Sequence, residues 1–344
     1  MKLQISALRI TLSLSVWMLA VGAQASSINI DLGAATGYNL FIKDTFIQPG
    51  ADSQGKIAIG GNANLGQYDV GVNYEPGSHR DGLQFWTDAR RYEDVLVVGG
   101  NLTTSPWSWG NIKGNAIIGG ELTPGSNSHS IQGTTTKGAP IDFTSAFEQL
   151  TQLSLDLASL TNTAGIEFKY NNWLKLDGTS VDGLYVTNIT GTQLYNATDL
   201  SAPGLKQDDT LIINVSGKNV AFDSLNYGAR ESLAALNLSP SHILYNFYEA
   251  DNIIFSGGIK GNILAPQANF TFLQGDLSGQ IIAKSWIGGW GAQANLWDGF
   301  FVPPVYDAPV IPKTAGVGEP STFILFFLGL GALLLVRRKN NHKA

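Results

Sequence analysis

Short apolar runs closed by glycine recur along this chain. Ile57-Ala58-Ile59-Gly60-Gly61-Asn62 is followed by Val95-Leu96-Val97-Val98-Gly99-Gly100-Asn101 and by Ala116-Ile117-Ile118-Gly119-Gly120-Glu121. Gly261-Asn262-Ile263-Leu264-Ala265 and Gly279-Gln280-Ile281-Ile282-Ala283 restart the pattern late in the chain without the double glycine. Each run has strand length, is rich in β-branched residues and stops at glycine. The last two begin 18 residues apart and the second and third about 20. An offset of this size predicts strands stacked in coils, where no unit can bury its face alone. The glycines are expected at corners, where φ > 0 costs them nothing. The runs do not alternate apolar with polar, so both faces of their sheet should be covered. The coil interior covers one face, and a second element must lie against the other.

The spacing supplies that element. Phe143, Phe147, Leu150, Leu153, Leu157 and Leu160 follow one another at steps of 4, 3, 3, 4 and 3, which makes one apolar helical stripe with Asp142 as N-cap. Its expected place is along the flank of the coils, over the apolar rungs. Before the first rung, residues 28–47 read as an entry strand and cap. Leu211–Val215, Ile243–Phe247 and Ile253–Phe255 read as buried strands, and the aromatic stretch 286–302 as a seal on the open end of the stack. Residues 66–93 read as a polar, aromatic loop leaving the solenoid, with Pro76, His79, Trp86, Arg90 and Arg91. The fold expected is mainly β: a single right-handed-type β-solenoid with one long α-helix along its flank, plus an N-terminal signal and a C-terminal hydrophobic helix.

Composition agrees. Forty glycines and 14% charged residues among 344 suit a turn-rich β protein. The net charge of −6 argues against a nucleic-acid partner. Cysteine is absent, which fits an exported bacterial protein without disulfides and excludes thiolate metal sites and cysteine nucleophiles.

Both ends read as addresses. Lys2 and Arg9 precede an apolar run from Ile10 to Val21 and the small residues Ala23-Gln24-Ala25, the layout of a signal peptide over 1–25 cleaved after Ala25. The body spans 26–302 and an extended Pro-rich linker 303–318. In the tail, 319–344, Glu319-Pro320-Ser321-Thr322 leads into an apolar segment at 323–336 and then Arg337-Arg338-Lys339. Fourteen helical residues reach roughly 21 Å against about 30 Å of hydrocarbon, a marginal span suited to transient insertion in the inner membrane. The basic cluster should stay cytoplasmic. This tripartite tail resembles the PEP-CTERM sorting signal of Gram-negative bacteria, with Gly318 where that signal usually carries proline. The resemblance implies an exosortase and the secretion machinery as partners, with processing near Glu319-Pro320. The body, from about Ala34 to Trp290, resembles the choice-of-anchor A family of surface proteins. The matching residues are Tyr38-Asn39-Leu40-Phe41, the Gly-Gly-Asn rungs at 60–62 and 99–101, Ile141-Asp142-Phe143 and Gly261 to Pro266. It implies display outside the cell and an adhesive, biofilm role. The late rungs and flanking helix also look like the ice-binding β-solenoid proteins in architecture.

Catalytic chemistry is sparse. The histidines His79, His129, His242 and His342 are scattered, and there is no zinc-protease spacing and no Gly-x-Ser-x-Gly elbow. No catalytic residues, metal ligands or cofactors are therefore assigned. Asp177 to Gly183 lacks the ligand spacing of a calcium loop and reads as a turn. Asp81, Asp88 and Glu93 supply carboxylates for a carbohydrate-acting enzyme, or plain surface charge. Trp107 and Trp109 face one way if they lie on a strand. They form either an exposed platform for a sugar ring or a buried aromatic corner. Six Asn-x-Ser/Thr triplets, at Asn101, Asn188, Asn196, Asn214, Asn237 and Asn269, read as composition of Asn-rich turns. Ice binding calls for a flat, regular threonine array, and only Thr134-Thr135-Thr136 clusters in sequence. The function expected is a non-catalytic surface or matrix adhesin whose ligand is an exopolysaccharide or another surface. The alternative is a carbohydrate-binding or carbohydrate-acting protein of the matrix.

Overall fold

The structure, a computed structural model, describes residues 29–304 except 73–92, 105–109, 125–129, 170–172, 179, 182, 198, 203, 207, 224–237 and 297–298. Ten parallel strands form the first face of a coil. In spatial order they are Thr135–Lys137, Asn115–Ile118, Asp94–Val98, Ile57–Ile59 and Leu40–Ile42, then the starts of Ile281–Asn295 and Asn262–Ser278, then Ile243–Asn246, Thr210–Ser216 and Leu184–Thr190. The chain therefore starts mid-stack at Leu40 and climbs to Lys137. It crosses back along helix α1 (Phe143–Ala158) and re-enters at the far end through Leu184. It then returns until Ile281–Ala283 docks beside Leu40–Ile42. The predicted neighbours at offsets of 18 and 20 are direct partners. Two expectations are corrected. The 28–47 segment is no cap, and Trp286 seals no end, because both belong to the two coils that meet mid-stack.

Along each first-face strand, Leu40, Ile42, Ile57, Ile59, Ile263 and Ile281 point into the coil. The residues between them, Phe41, Ala58, Val97, Leu264 and Ile282, lie under Phe147, Leu150, Leu153 and Leu157 of α1. The continuous apolar runs and the helical stripe thus bury each other, each Leu, Ile or Phe contributing about 1.5–3 kcal/mol. The stripe's fit is geometric. From Phe143 to Leu157 the helix advances roughly 21 Å. Phe143 sits at the Gly60 coil and Leu157 at Asn214, five strand spacings or about 24 Å apart. Asp142 caps the helix, accepting from Ser145 N at 3.1 Å. At its other end Asn214 Nδ2 donates to Leu157 O at 2.9 Å, a last-turn carbonyl that also accepts from Leu160 N at 3.3 Å. Asn246 Nδ2 donates to Ser154 O and to Asn214 Oδ1, each at 2.8 Å, so a buried amide chain bolts the rod to the coils.

The double glycines stand over one another, and none of Gly60, Gly61, Gly99, Gly100, Gly119 and Gly120 has positive φ. The expected left-handed corner is found instead at Gly261 and Gly279, with φ of 117° and 143°. What the double glycines provide is close stacking. A Cβ on Gly99 would fall within 3.0 Å of Gly60 O, and one on Gly119 within 3.0 Å of Gly99 O. The asparagine that follows completes the step: Asn62 Oδ1 accepts from Asn101 N at 2.8 Å, and Asn101 Oδ1 from Glu121 N at 2.8 Å.

The stack ends differently at its two limits. Thr135 and Lys137 occupy the register of Ala116 and Ile118, and Lys137 Nζ donates to Gly120 O at 2.6 Å. Placing lysine at the inward position discourages further stacking. At the other limit Leu174, Leu176, Leu194, Ala202 and Leu205 close the interior. They come from a three-stranded sheet (Ala164–Lys169, Trp173–Gly178, Asp199–Ser201), from helix α2 (Gly191–Asn196) and from the loop after it. Among the described residues no helix is long and apolar enough to cross a membrane.

Candidate adhesive face

A second face lies around the corner from α1. Its strands are Asn219–Asp223, Asn252–Ser256, the middles of Asn262–Ser278 and Ile281–Asn295, the starts of Phe46–Ser53 and Ala63–Val70, Leu102–Thr104 and Leu122–Thr123. Beneath it Phe222, Phe255, Phe272, Phe270, Trp286 and Phe46 form an aromatic spine. Its rings include a Phe222–Phe255 pair at 4.6 Å, Phe255–Phe272 at 5.0 Å and Phe270–Trp286 at 5.4 Å. A spine of this kind holds the face as a rigid plate.

Register fixes what the plate shows. Its central outward row is Ala221, Ile254, Thr271, Ile287, Ile47, Asn64, Thr103 and Thr123, one residue per coil at about 4.8 Å spacing. A flanking row carries Asn219, Asn252, Asn269 and Ser285. In it Asn252 Nδ2 donates to Asn219 Oδ1 at 2.8 Å, Asn269 Nδ2 to Asn252 Oδ1 at 3.3 Å, and Ser285 Oγ to Asn269 Oδ1 at 2.9 Å. The same flank continues through Thr45, Asn62 and Asn101 to Glu121, the one ionisable side chain of these two rows.

On the opposite flank the pairing slips. Phe272 faces Gly288 and Gln274 faces Gly291, so Leu273 stands opposite both Gly289 and Trp290. This is a β-bulge, and bulges re-aim side chains. Here the extra residue turns an indole outward: Trp290 is 67% exposed. A Cβ on Gly50 would come 2.7 Å from Trp290 Cε3, so only glycine lets the ring lie this close. Beside that glycine, Ala51 holds a φ of 84°, the one positive φ among described non-glycine residues. Ile47, Ile254, Leu273, Ile287 and Trp290 are all exposed on this plate.

The third face is acidic. Asp52 and Asp69 sit opposite each other, and Gln293 Nε2 donates to Asp52 Oδ2 at 3.1 Å. Burial pushes the Asp52 carboxyl up from 3.8 to about 6; Asp69 and, less, Asp276 add to the rise and the Gln293 hydrogen bond opposes it. Among the described residues no group of three or more His, Asp or Glu is placed to hold a metal ion.

Of the residues singled out in the sequence, Trp107 and Trp109 lie outside the described residues. So do Asp81, Asp88, Ala23, Ala25, Glu319, Pro320, Ser321, Thr322, Arg337 and Arg338. Glu93 pairs with Lys56 Nζ at 3.2 Å, surface charge tying two coils. Of the expected turn from Asp177 to Gly183, Asp177 and Gly178 end the strand Trp173–Gly178 instead, and Val181 and Leu184 bridge each other around Gly183. The plate and Trp290 were not foreseen. In Trp286-Ile287-Gly288-Gly289-Trp290-Gly291 the two indoles stand four apart, a spacing that a regular strand would aim to one side, and the register slip is what separates them.

Residues 31–294 match the family model described as "Putative Ice-binding-like adhesive domain". The chain belongs to that family. The adhesive domain so delimited runs from ahead of the first coil to the end of the last, taking in both halves of the stack and the plate. Two solved structures are similar to it. One is an ice binding protein from an Antarctic Biological Consortium, at 14% identity over 88% of this chain and 97% of that one, with a TM-score of 0.29. The other is an ice-binding protein from the Antarctic ascomycete Antarctomyces psychrotrophicus, at 14% identity over 78% and 99%, with a TM-score of 0.28. No curated protein sequence matches the chain.

Proposed function

We propose that this chain is an exported, non-catalytic adhesin that works outside the cell through the flat second face. The observation that carries the reading is the plate itself: rigid, nearly uncharged, and displaying Ile47, Ile254, Leu273, Ile287 and Trp290 to solvent between rows of amides and hydroxyls. Exposed apolar area of this extent, rimmed by polar groups, marks an interaction surface. Family membership supports the same reading. In it, residues 1–25 direct export, the 323–336 segment holds the chain briefly in the inner membrane, and an exosortase processes the tail near Glu319-Pro320. The released or attached domain then serves the biofilm matrix. The test replaces Ile47 and Ile287 together with lysine. The double variant should lose retention on coated and abiotic surfaces while its thermal midpoint stays within a few degrees of the parent, since both side chains are exposed. Unchanged retention would remove the plate from the account.

A second reading, adsorption to ice, is favoured by Thr103, Thr123 and Thr271 on one straight row. Asn64, Ile47 and Ile287 interrupt that row. Inhibition of ice recrystallisation by the purified chain separates the two readings.

A further inference from the structure

The bulge at Trp290 says more than that the plate is sticky. Four features coincide there. An indole lies close over Gly50 and is 67% exposed. Leu273 and Ile287, 52% and 50% exposed, extend that apolar strip along the plate. Across the plate runs the Asn219–Asn252–Asn269–Ser285 ladder. The two long outward rows bear one ionisable side chain, Glu121, at their far end.

Each ladder amide has two N–H donors, and the ladder engages one of those of Asn252 and of Asn269. A ligand matched to this plate has an apolar flat face for the indole, hydroxyls along its edge for the amides, and no charge. A pyranose ring meets all three conditions: its axial C–H bonds carry slight positive charge toward the negative face of an aromatic ring. A polymer of such rings also meets the repeat of the plate, whose flanking row carries an amide or hydroxyl side chain at successive coils from Asn219 to Asn101. Neither of the two rows offers a cationic side chain to an anionic polymer, and a protein partner would not need an uncharged amide ladder of constant step.

We propose that the plate binds neutral polysaccharide, with Trp290 as the stacking platform, Leu273 and Ile287 as its apolar continuation, and the Asn252–Asn269–Ser285 edge addressing hydroxyls. This deepens the adhesive reading of the same face and rests on it.

The experiment uses the purified chain with microcrystalline cellulose and chitin as neutral probes, alginate as an anionic probe, and polystyrene as an apolar surface without hydroxyls. The parent chain is expected to be retained on at least one neutral polysaccharide and not on alginate, with no loss in molar salt. Trp290→Ala should weaken that retention about tenfold or more, and Trp290→Tyr should restore most of it. The circular dichroism spectrum and thermal midpoint of both variants should match the parent, because the ring is exposed. Retention on neither cellulose nor chitin, or retention indifferent to Trp290→Ala, overturns the proposal. If polystyrene alone retains the chain and the Ile47, Ile287 lysine variant abolishes that, the ligand class is wrong while the adhesive face stands. If the lysine variant changes nothing on any surface, the adhesive reading falls with it.

Discussion

Asp52 shows how one side chain contributes to the pH response of the domain. Burial, with Asp69 opposite and Asp276 beyond, raises its folded pKa to about 6 from an ordinary 3.8. Between those values the folded state holds a proton that the unfolded chain has lost. Stability from this group is therefore complete below about pH 4 and drains away as pH rises through 6, by roughly 3 kcal/mol at most. Asp52→Asn keeps an acceptor for Gln293 and removes the charge. Its urea midpoint at about pH 7.5 should exceed the parent's by the equivalent of about 1–3 kcal/mol, and the gap should close near pH 4. At this scale the sequence was legible where a residue acts through its neighbours in the chain, as Asp142 does as N-cap. It was not legible where a residue answers to the coil above it. Gly99 looks like a turn glycine in sequence, but it is glycine because Gly60 O occupies the space its Cβ would take.

Helix α1 was the most legible element, because its 3.6-residue stripe and the unalternated strands each lacked a partner that the other supplied. What the stripe did not disclose is the polar bolt within it. Ser154 is fully buried, at a position the apolar spacing skips, and it meets Asn246 from the facing strand. Asn246→Leu should cost about 2–4 kcal/mol, because it strands Asn214 Oδ1 and Ser154 in a dry interface. Replacing Asn246, Asn214 and Ser154 together by apolar residues should cost less than the single change. Chemical denaturation of the single and triple variants measures the difference. The Trp290 bulge was illegible for the opposite reason. A one-residue slip is a relation between two strands, and only the pairing of Leu273 with both Gly289 and Trp290 defines it.

At the scale of the molecule, repeat spacing identified adjacent coils but could not order the two halves. The period linking Gly261 to Gly279 is the same whether the final coil ends the stack or closes it. The closure is sealed by buried amides drawn from both halves. Asn39 Nδ2 donates to Gly279 O at 2.6 Å, Trp286 Nε1 to Gln48 Oε1 at 2.7 Å, and Leu296 N to Gln54 Oε1 at 2.8 Å. A chain truncated after Ser278 should therefore lose cooperative unfolding altogether, since it leaves Leu40–Ile42 and Ile263–Ala265 without the strand they share. An open array would only shorten. Thermal denaturation followed by circular dichroism distinguishes a lost transition from a lowered one.

That shared strand also decides how the coils would answer a pull from the C-terminal side. A tether continuing past Leu296 pulls on a segment gripped on both sides, by the coil of Phe46 and the coil of Phe270. Drag is then carried by two hydrogen-bonded seams at once, because the last described strand is held on both sides and does not lie at an edge of the stack.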